Sequence, residues 1–195
     1  MKQERSIETR NKLIRAGRVI FLKNGFANAT MTQVIKEAGV GYGTAYVYFK
    51  NKDDLFHVII EETILGLQQV GTMTFTPQTK EEAIAIIQQQ AKLFIEEGVR
   101  QRDMLRIIHE AIGFSTIIAQ KWQNVRAFFE SGIENDVRYA QQQALANTSL
   151  DAKAVARLWF TLNEQALWNC ILQEDCDVEQ AAALIAHFYI AGLYK

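Results

Sequence analysis

Apolar residues recur every three to four positions along most of the chain, and the breaks between these stretches define the elements. From Ser6 to Lys23, Leu13, Ala16, Gly17, Ile20 and Phe21 form one stripe, with Arg10, Arg15, Arg18 and Lys23 off it. This predicts an amphipathic first helix that ends at Asn24-Gly25. Gly17 inside that helix costs about 1 kcal/mol relative to alanine, which implies that another helix passes close by. Thr30-Met31-Thr32-Gln33 matches a capping box and predicts a second helix from Met31 to Ala38, terminated by Gly39. Asn51, followed by Asp53 and Asp54, suits the start of a longer helix through about Gln69. The segment Val40 to Tyr48 is then a short helix between two better-defined ones, the pattern of a helix-turn-helix.

Beyond Gly71 the pattern lapses over 71–78, which holds the only proline and reads as a connection. Thr79-Lys80-Glu81-Glu82 is a second capping box. Helices are expected at about 80–97, 101–112, 117–146, 151–174 and 178–194, with breaks at Gly98, near Gly113, at Asn147-Thr148-Ser149 and at Asp175-Cys176-Asp177. No alternating strand pattern competes. The expectation is an all-α chain of about nine helices, with a three-helix helix-turn-helix domain over 1–52 and a second helical domain over 53–195.

Charge divides the chain in the same way. Its 195 residues carry a net charge of −1, yet residues 1–60 hold ten Lys/Arg against five acids, leaving the rest net negative. A basic head on an acidic body points the head at a polyanion. Neither a signal peptide nor an apolar span of about 18 residues is present, so a cytoplasmic location with no membrane partner is expected. Cys170 and Cys176 read as free thiols in a reducing compartment. His57, His109 and His187 lack metal-ligand spacing with one another or with the cysteines, and no phosphate loop or nucleophile motif occurs. An enzyme is therefore not expected, nor are a metal or a cofactor.

The stretch Ala38-Gly39-Val40-Gly41-Tyr42-Gly43-Thr44-Ala45-Tyr46-Val47-Tyr48-Phe49 fits a helix laid in the major groove of DNA. Gly41 and Gly43 leave its first turn bare for phosphate, Thr44, Tyr46 and Tyr48 offer hydroxyls, and Lys52 adds a cation. Phe49 is expected to turn inward with Leu55 and Phe56. Gly25-Phe26, Ala29-Thr30-Met31, Ala38-Gly39-Val40, Gly43-Thr44, Tyr46, Tyr48-Phe49, Lys52 and Leu55 together resemble the N-terminal signature of TetR-family transcriptional regulators over about residues 8–60. That resemblance implies a homodimer with a DNA-binding head and a ligand-binding, dimerising body. It puts Thr32 and Gln33 where the family's second helix meets DNA and Tyr42, Gly43 and Thr44 on its recognition helix. Tyr46, Tyr48 and Lys52 match its phosphate contacts. Gly41 departs from the family's common serine and Tyr42 from a frequent basic or small residue, which leaves open which bases are read.

The body is rich in aromatics spread over several helices, and large rings leave gaps between helices where ligands bind; the alternative for each ring is ordinary core packing. Asn163 follows Phe160 by one helical turn on a largely apolar helix, and this stretch is similar to a Leu-Asn-Glu segment in one ligand-responsive branch of the family, where the asparagine faces the pocket. Asn163, Phe160, Trp122, Trp168, Phe94 and Phe114 are the pocket candidates for a small-molecule effector of unknown identity. The last helix carries Ala181, Ala182, Ala183, Ala186, Ala191 and Gly192 among large apolar residues, so part of it should face a partner subunit. The reading is a repressor that binds a palindromic operator and is released by an apolar or amphipathic effector. A sequence-tolerant DNA-binding protein is the alternative from another class, and a ligand binder with a vestigial head comes third.

Overall fold

The computed structural model describes residues 2–193. Every regular element among them is a helix: α1 (Lys2–Asn28), α2 (Met31–Ala38), α3 (Tyr42–Tyr48), α4 (Lys52–Ile59), α5 (Glu61–Val70), α6 (Lys80–Arg100), α7 (Arg102–Ile112), α8 (Thr116–Gln142), α9 (Ala152–Leu172) and α10 (Val178–Leu193). The single helix expected from Asn51 to Gln69 is two, α4 and α5, which meet at Ile60. Ten helices therefore stand where about nine were expected.

The chain divides into two compact units, Met1–Thr63 with Asp103–Trp122, and Ile64–Arg102 with Gln123–Lys195. The first extends past the expected boundary after Lys52 because α4 supplies its core. Leu55 and Phe56 are fully buried, and Phe56 packs against Phe21 and Phe26 at ring-centroid distances of 4.6 and 5.2 Å. Phe49 is buried as well, as its position predicts. Gly17 is a point of close approach between α1 and α4: a Cβ there would lie 2.8 Å from Leu55 Cδ2 and Ile59 Cδ1. α1 kinks at Gly25, whose φ of 73° and ψ of 178° lie where L side chains are strained.

The second unit packs α6, α9 and α10 on one another. Gly98 does not end α6, contrary to expectation, and the helix runs on to Arg100. Gly98 is buried instead, and a Cβ there would sit 2.0 Å from Leu167 Cδ1, so this glycine admits a side chain of α9. α8 stops at Gln142, earlier than the expected 146, because Ala144 takes a φ of 56° and the Leu145 N–H turns back to the Ala140 carbonyl at 2.9 Å. Thr79 caps α6 by accepting from the Glu82 N–H at 3.1 Å, while the Glu82 carboxylate reaches past the cap to the Gln78 N–H at 2.7 Å.

The cysteines differ from the sequence reading. Cys170, at the end of α9, and Cys176, in the loop before α10, are joined as a disulfide with Cα atoms 4.9 Å apart. The turn between them folds the chain back into bonding range, which spacing along the sequence does not disclose. No helix among the described residues is long and apolar enough to cross a membrane.

Candidate nucleic-acid interface and body cavity

The helix-turn-helix is built from local hydrogen bonds that its sequence dictates. Thr30 Oγ1 accepts from the Gln33 N–H at 3.3 Å, and Gln33 Oε1 accepts from the Thr30 N–H at 2.8 Å, closing the capping box. Gly39 ends α2 in the left-handed region at a φ of 64°, a conformation that favours glycine. The chain then enters α3 through Gly41, with no side chain capping its first turn.

Ala45 anchors α3 in the core with no exposed surface, and the opposite face is open. Tyr42 and Tyr46 are about half exposed, and Gly43 and Thr44 are exposed beside them. Nothing lies within 4 Å of where a Cβ on Gly43 would stand, so a bulky partner can approach the backbone there. Thr32 is exposed on α2. Gln33 is exposed too, but its oxygen is committed to the cap, leaving the Nε2 group for an outside acceptor. Tyr48 is half-buried, with its hydroxyl 2.9 Å from Ser6 Oγ on α1.

Lys52 makes contacts that sequence reasoning missed. Its ammonium donates to the Phe26 and Ala27 carbonyls at 2.8 and 3.1 Å and lies 4.6 Å from the centre of the Phe26 ring. Two of its three protons are thereby used within the head. A carbonyl near the end of α1 as partner to a lysine 25 residues away leaves no signature in the sequence.

In the second unit a cavity opens among α5, α6, α8 and α9. Phe94, Phe160 and Asn163 line it, joined by Trp159, Phe129 and Asp136. Phe129 stacks on Phe160 at 5.1 Å and meets Phe94 edge-on at 5.1 Å. The Asn163 Nδ2 group donates to the Trp159 carbonyl at 2.9 Å. Three other candidates lie off these walls. Trp168 is five residues past Asn163, about 140° round the helix, and is buried elsewhere in the unit. Trp122 is buried in the first unit, and Phe114, also of that unit, is largely exposed.

Asp136 is the wall residue that the sequence did not single out. Burial among apolar neighbours pushes its carboxyl up from 3.8 to about 7. Its signal was a lone acid following Phe129, Gly132 and Ile133 at helical spacing on α8. The cavity volume is about 50 Å³. Ligand-filled pockets run to roughly 300–1,000 Å³, so a drug-sized guest has to part these walls.

Comparison with known proteins sets this geometry in context. The description of bacterial regulatory proteins of the tetR family matches residues 13–59. An HTH-type transcriptional regulator of Staphylococcus aureus (strain bovine RF122 / ET3-1) is 34% identical over 59 residues, 30% of this chain and 32% of its own length. The uncharacterized HTH-type transcriptional regulator YhgD of Bacillus subtilis (strain 168) is 33% identical over 72 residues, 37% of this chain and 38% of its own. The chain thus matches about a third of the length of these relatives. The fold is shared more widely. NalD, the secondary repressor of the MexAB-OprM multidrug efflux pump in Pseudomonas aeruginosa, superposes with a TM-score of 0.74 at 18% identity, covering 98% of both chains. SmeT, the repressor of the Stenotrophomonas maltophilia multidrug efflux pump SmeDEF, gives 0.73 at 21% identity, covering 95% of this chain and 90% of its own. The head therefore matches the description of the tetR family of bacterial regulatory proteins over residues 13–59, and the chain shares its fold with these two structures along nearly its whole length.

Proposed function

We propose that this chain is a cytoplasmic transcriptional repressor that grips a palindromic operator as a homodimer and lets go when a small apolar or amphipathic molecule enters the body cavity. The observation that carries the reading is the open face of α3, where Tyr42, Gly43, Thr44 and Tyr46 stand exposed over a helix anchored at Ala45. That face presents hydroxyls and bare backbone to phosphates and base edges from a rigid base. Thr32 and the free end of Gln33 extend it from α2, and Tyr48 and the remaining proton of Lys52 border it.

Dimerisation is supported by exposed apolar side chains on the last two helices. Leu158 and Leu162 on α9, and Leu184 and Phe188 on α10, are 68%, 41%, 56% and 66% exposed, more than isolated surface residues would explain. A second copy covering them makes a two-fold dimer, whose heads suit half-sites about 34–36 Å apart or a multiple of that.

Ligand response is supported by the presence of the cavity and by chain continuity. α8 carries cavity residues at 129–136 and begins within the head unit, and α5 runs from the head to the cavity residue Val70. A guest that favours one arrangement of these helices by about 1–3 kcal/mol changes operator affinity some 5–150-fold, whereas a guest indifferent to them changes nothing. SmeT has been solved as a complex with triclosan, which lends the idea of a small aromatic effector.

The test is selection of random duplex DNA by the purified protein at about 150 mM salt, where non-specific binding is weak. Recovery of one palindrome supports the repressor. Recovery of no common sequence, with binding lost at this salt, overturns it in favour of a sequence-tolerant DNA-binding protein.

A further inference from the structure

Among the described residues, Asp136 is the one ionisable side chain that lines the cavity. Asp136 has neither an ion pair nor a hydrogen bond within the described chain. Asn163 spends one Nδ2 proton on the Trp159 carbonyl, which leaves Oδ1 and the second Nδ2 proton. No lysine, arginine or histidine lines the cavity. Arg126, whose guanidinium lies 5.7 Å from the centre of the Phe160 ring, is committed to Glu164 and to Glu130. Around these groups stand the rings of Phe94, Phe129, Trp159 and Phe160, whose faces attract a cation.

We infer that the effector is an aromatic or lipophilic cation, such as a quaternary ammonium or a protonated hydrophobic amine, with its charge beside Asp136 and its apolar body among the rings. The inference rests on the ligand-responsive reading of this cavity and names the chemistry of its guest. A neutral guest leaves the carboxylate desolvated or makes it take up a proton, and an anionic guest meets repulsion. A cation answers both, because the pair forms where water is scarce and charge attraction is screened least. Neutral Gln90, also on the wall and without a partner, supplies a donor or an acceptor as the guest requires.

The experiment is calorimetric titration of the full chain, at pH 8, with 4-phenylbutyltrimethylammonium and with its uncharged isostere, in which carbon replaces the nitrogen. Wild type and Asp136→Asn are compared, with melting curves to establish that the variant is folded. The expected result is that wild type binds the cation at least about tenfold more tightly than the isostere. Asp136→Asn is expected to lose that preference while its affinity for the isostere stays within about twofold. If the isostere binds wild type as well as the cation does, or if the variant keeps the preference, the cavity remains a ligand site and the cation inference falls. If neither compound binds wild type, the cavity is not a ligand site, and the ligand-responsive reading falls with the inference.

Discussion

Glu110 and Lys52 grip opposite edges of the same two residues. The Glu110 carboxylate accepts from the Phe26 and Ala27 N–H groups at 2.9 and 3.0 Å, while the Lys52 ammonium donates to the carbonyls of those residues at 2.8 and 3.1 Å. The end of α1 beyond its kink at Gly25 is thus held by charge-assisted bonds from α7 on one side and α4 on the other. Such bonds are stronger than neutral ones, and removing one partner strands polar backbone groups. Glu110→Ala is expected to lower stability by about 1–3 kcal/mol, and Glu110→Gln, which keeps one acceptor, by less. Urea denaturation checks this, and a midpoint for Glu110→Ala equal to wild type would refute it.

Gly25 completes that clamp. Its φ of 73° and ψ of 178° suit glycine almost alone, and a Cβ would stand 2.8 Å from Glu110 Oε2. Gly25→Ala is expected to cost about 1–3 kcal/mol from backbone strain, with displacement of Glu110 added. If the strain dominates, Glu110→Ala in the same chain will not restore the loss; if the clash dominates, it will restore part.

Gly98→Ala tests the close approach of α6 and α9. Alanine improves helix propensity by about 1 kcal/mol, yet the added methyl would overlap Leu167 Cδ1. Overpacking of this kind costs about 1–3 kcal/mol, so the net change should be destabilising. Leu167→Ala costs stability alone, through the cavity it leaves. Combined with Gly98→Ala, its loss should be smaller than the sum of the two. Simple additivity in melting experiments would mean that the two residues do not share the space.

How much of this was legible in the sequence depends on the range of the interaction. The capping box at Thr30 and Gln33, the end of α2 at Gly39 and the inward turn of Phe49 follow from residues a few positions apart, and the structure has each of them. Gly17 was read as a close approach and is one. Gly98 was read as a helix break because a glycine that admits Leu167 looks the same in sequence as one that ends a helix. The Lys52 contacts, the Cys170–Cys176 pairing and the position of Asp136 on a cavity wall depend on chain reversals that periodicity does not encode. Placing Trp122 and Trp168 needed the direction of each ring, whereas helical spacing offered only which residues were large and apolar.

Tyr46 and Lys52 should behave differently when DNA is the readout. Tyr46 is half exposed on α3, so Tyr46→Phe is expected to weaken operator binding by about five- to tenfold with the melting temperature unchanged. Its salt dependence should also stay the same, because a hydroxyl displaces no counterion. Lys52→Met should lower the melting temperature of free protein by releasing the Phe26 and Ala27 carbonyls. If its remaining proton meets a phosphate, the slope of log affinity against log salt should also fall by about 1. A lower melting temperature with no change in slope would leave Lys52 a purely structural residue.

Asp136 makes stability depend on pH in the direction opposite to a salt-bridged carboxylate. Its carboxyl titrates near 7 in the folded chain because burial disfavours the ion, against 3.8 as the ordinary value for an unfolded one. Between these values the folded protein keeps a proton that the unfolded chain has lost, so this group's contribution to stability falls as pH rises through the window. Below it both states are protonated, above it both are ionised, and the contribution is flat on either side. Asp136→Asn removes the titration, and no lysine, arginine or histidine on the cavity walls replaces it. The urea midpoint of Asp136→Asn should therefore gain on that of wild type from about pH 4 to about pH 7 and then hold its lead. A difference that does not change with pH would mean that water reaches the carboxyl freely. Binding of a cation should shrink the lead above pH 7, because wild type gains the ion pair there and the amide variant does not.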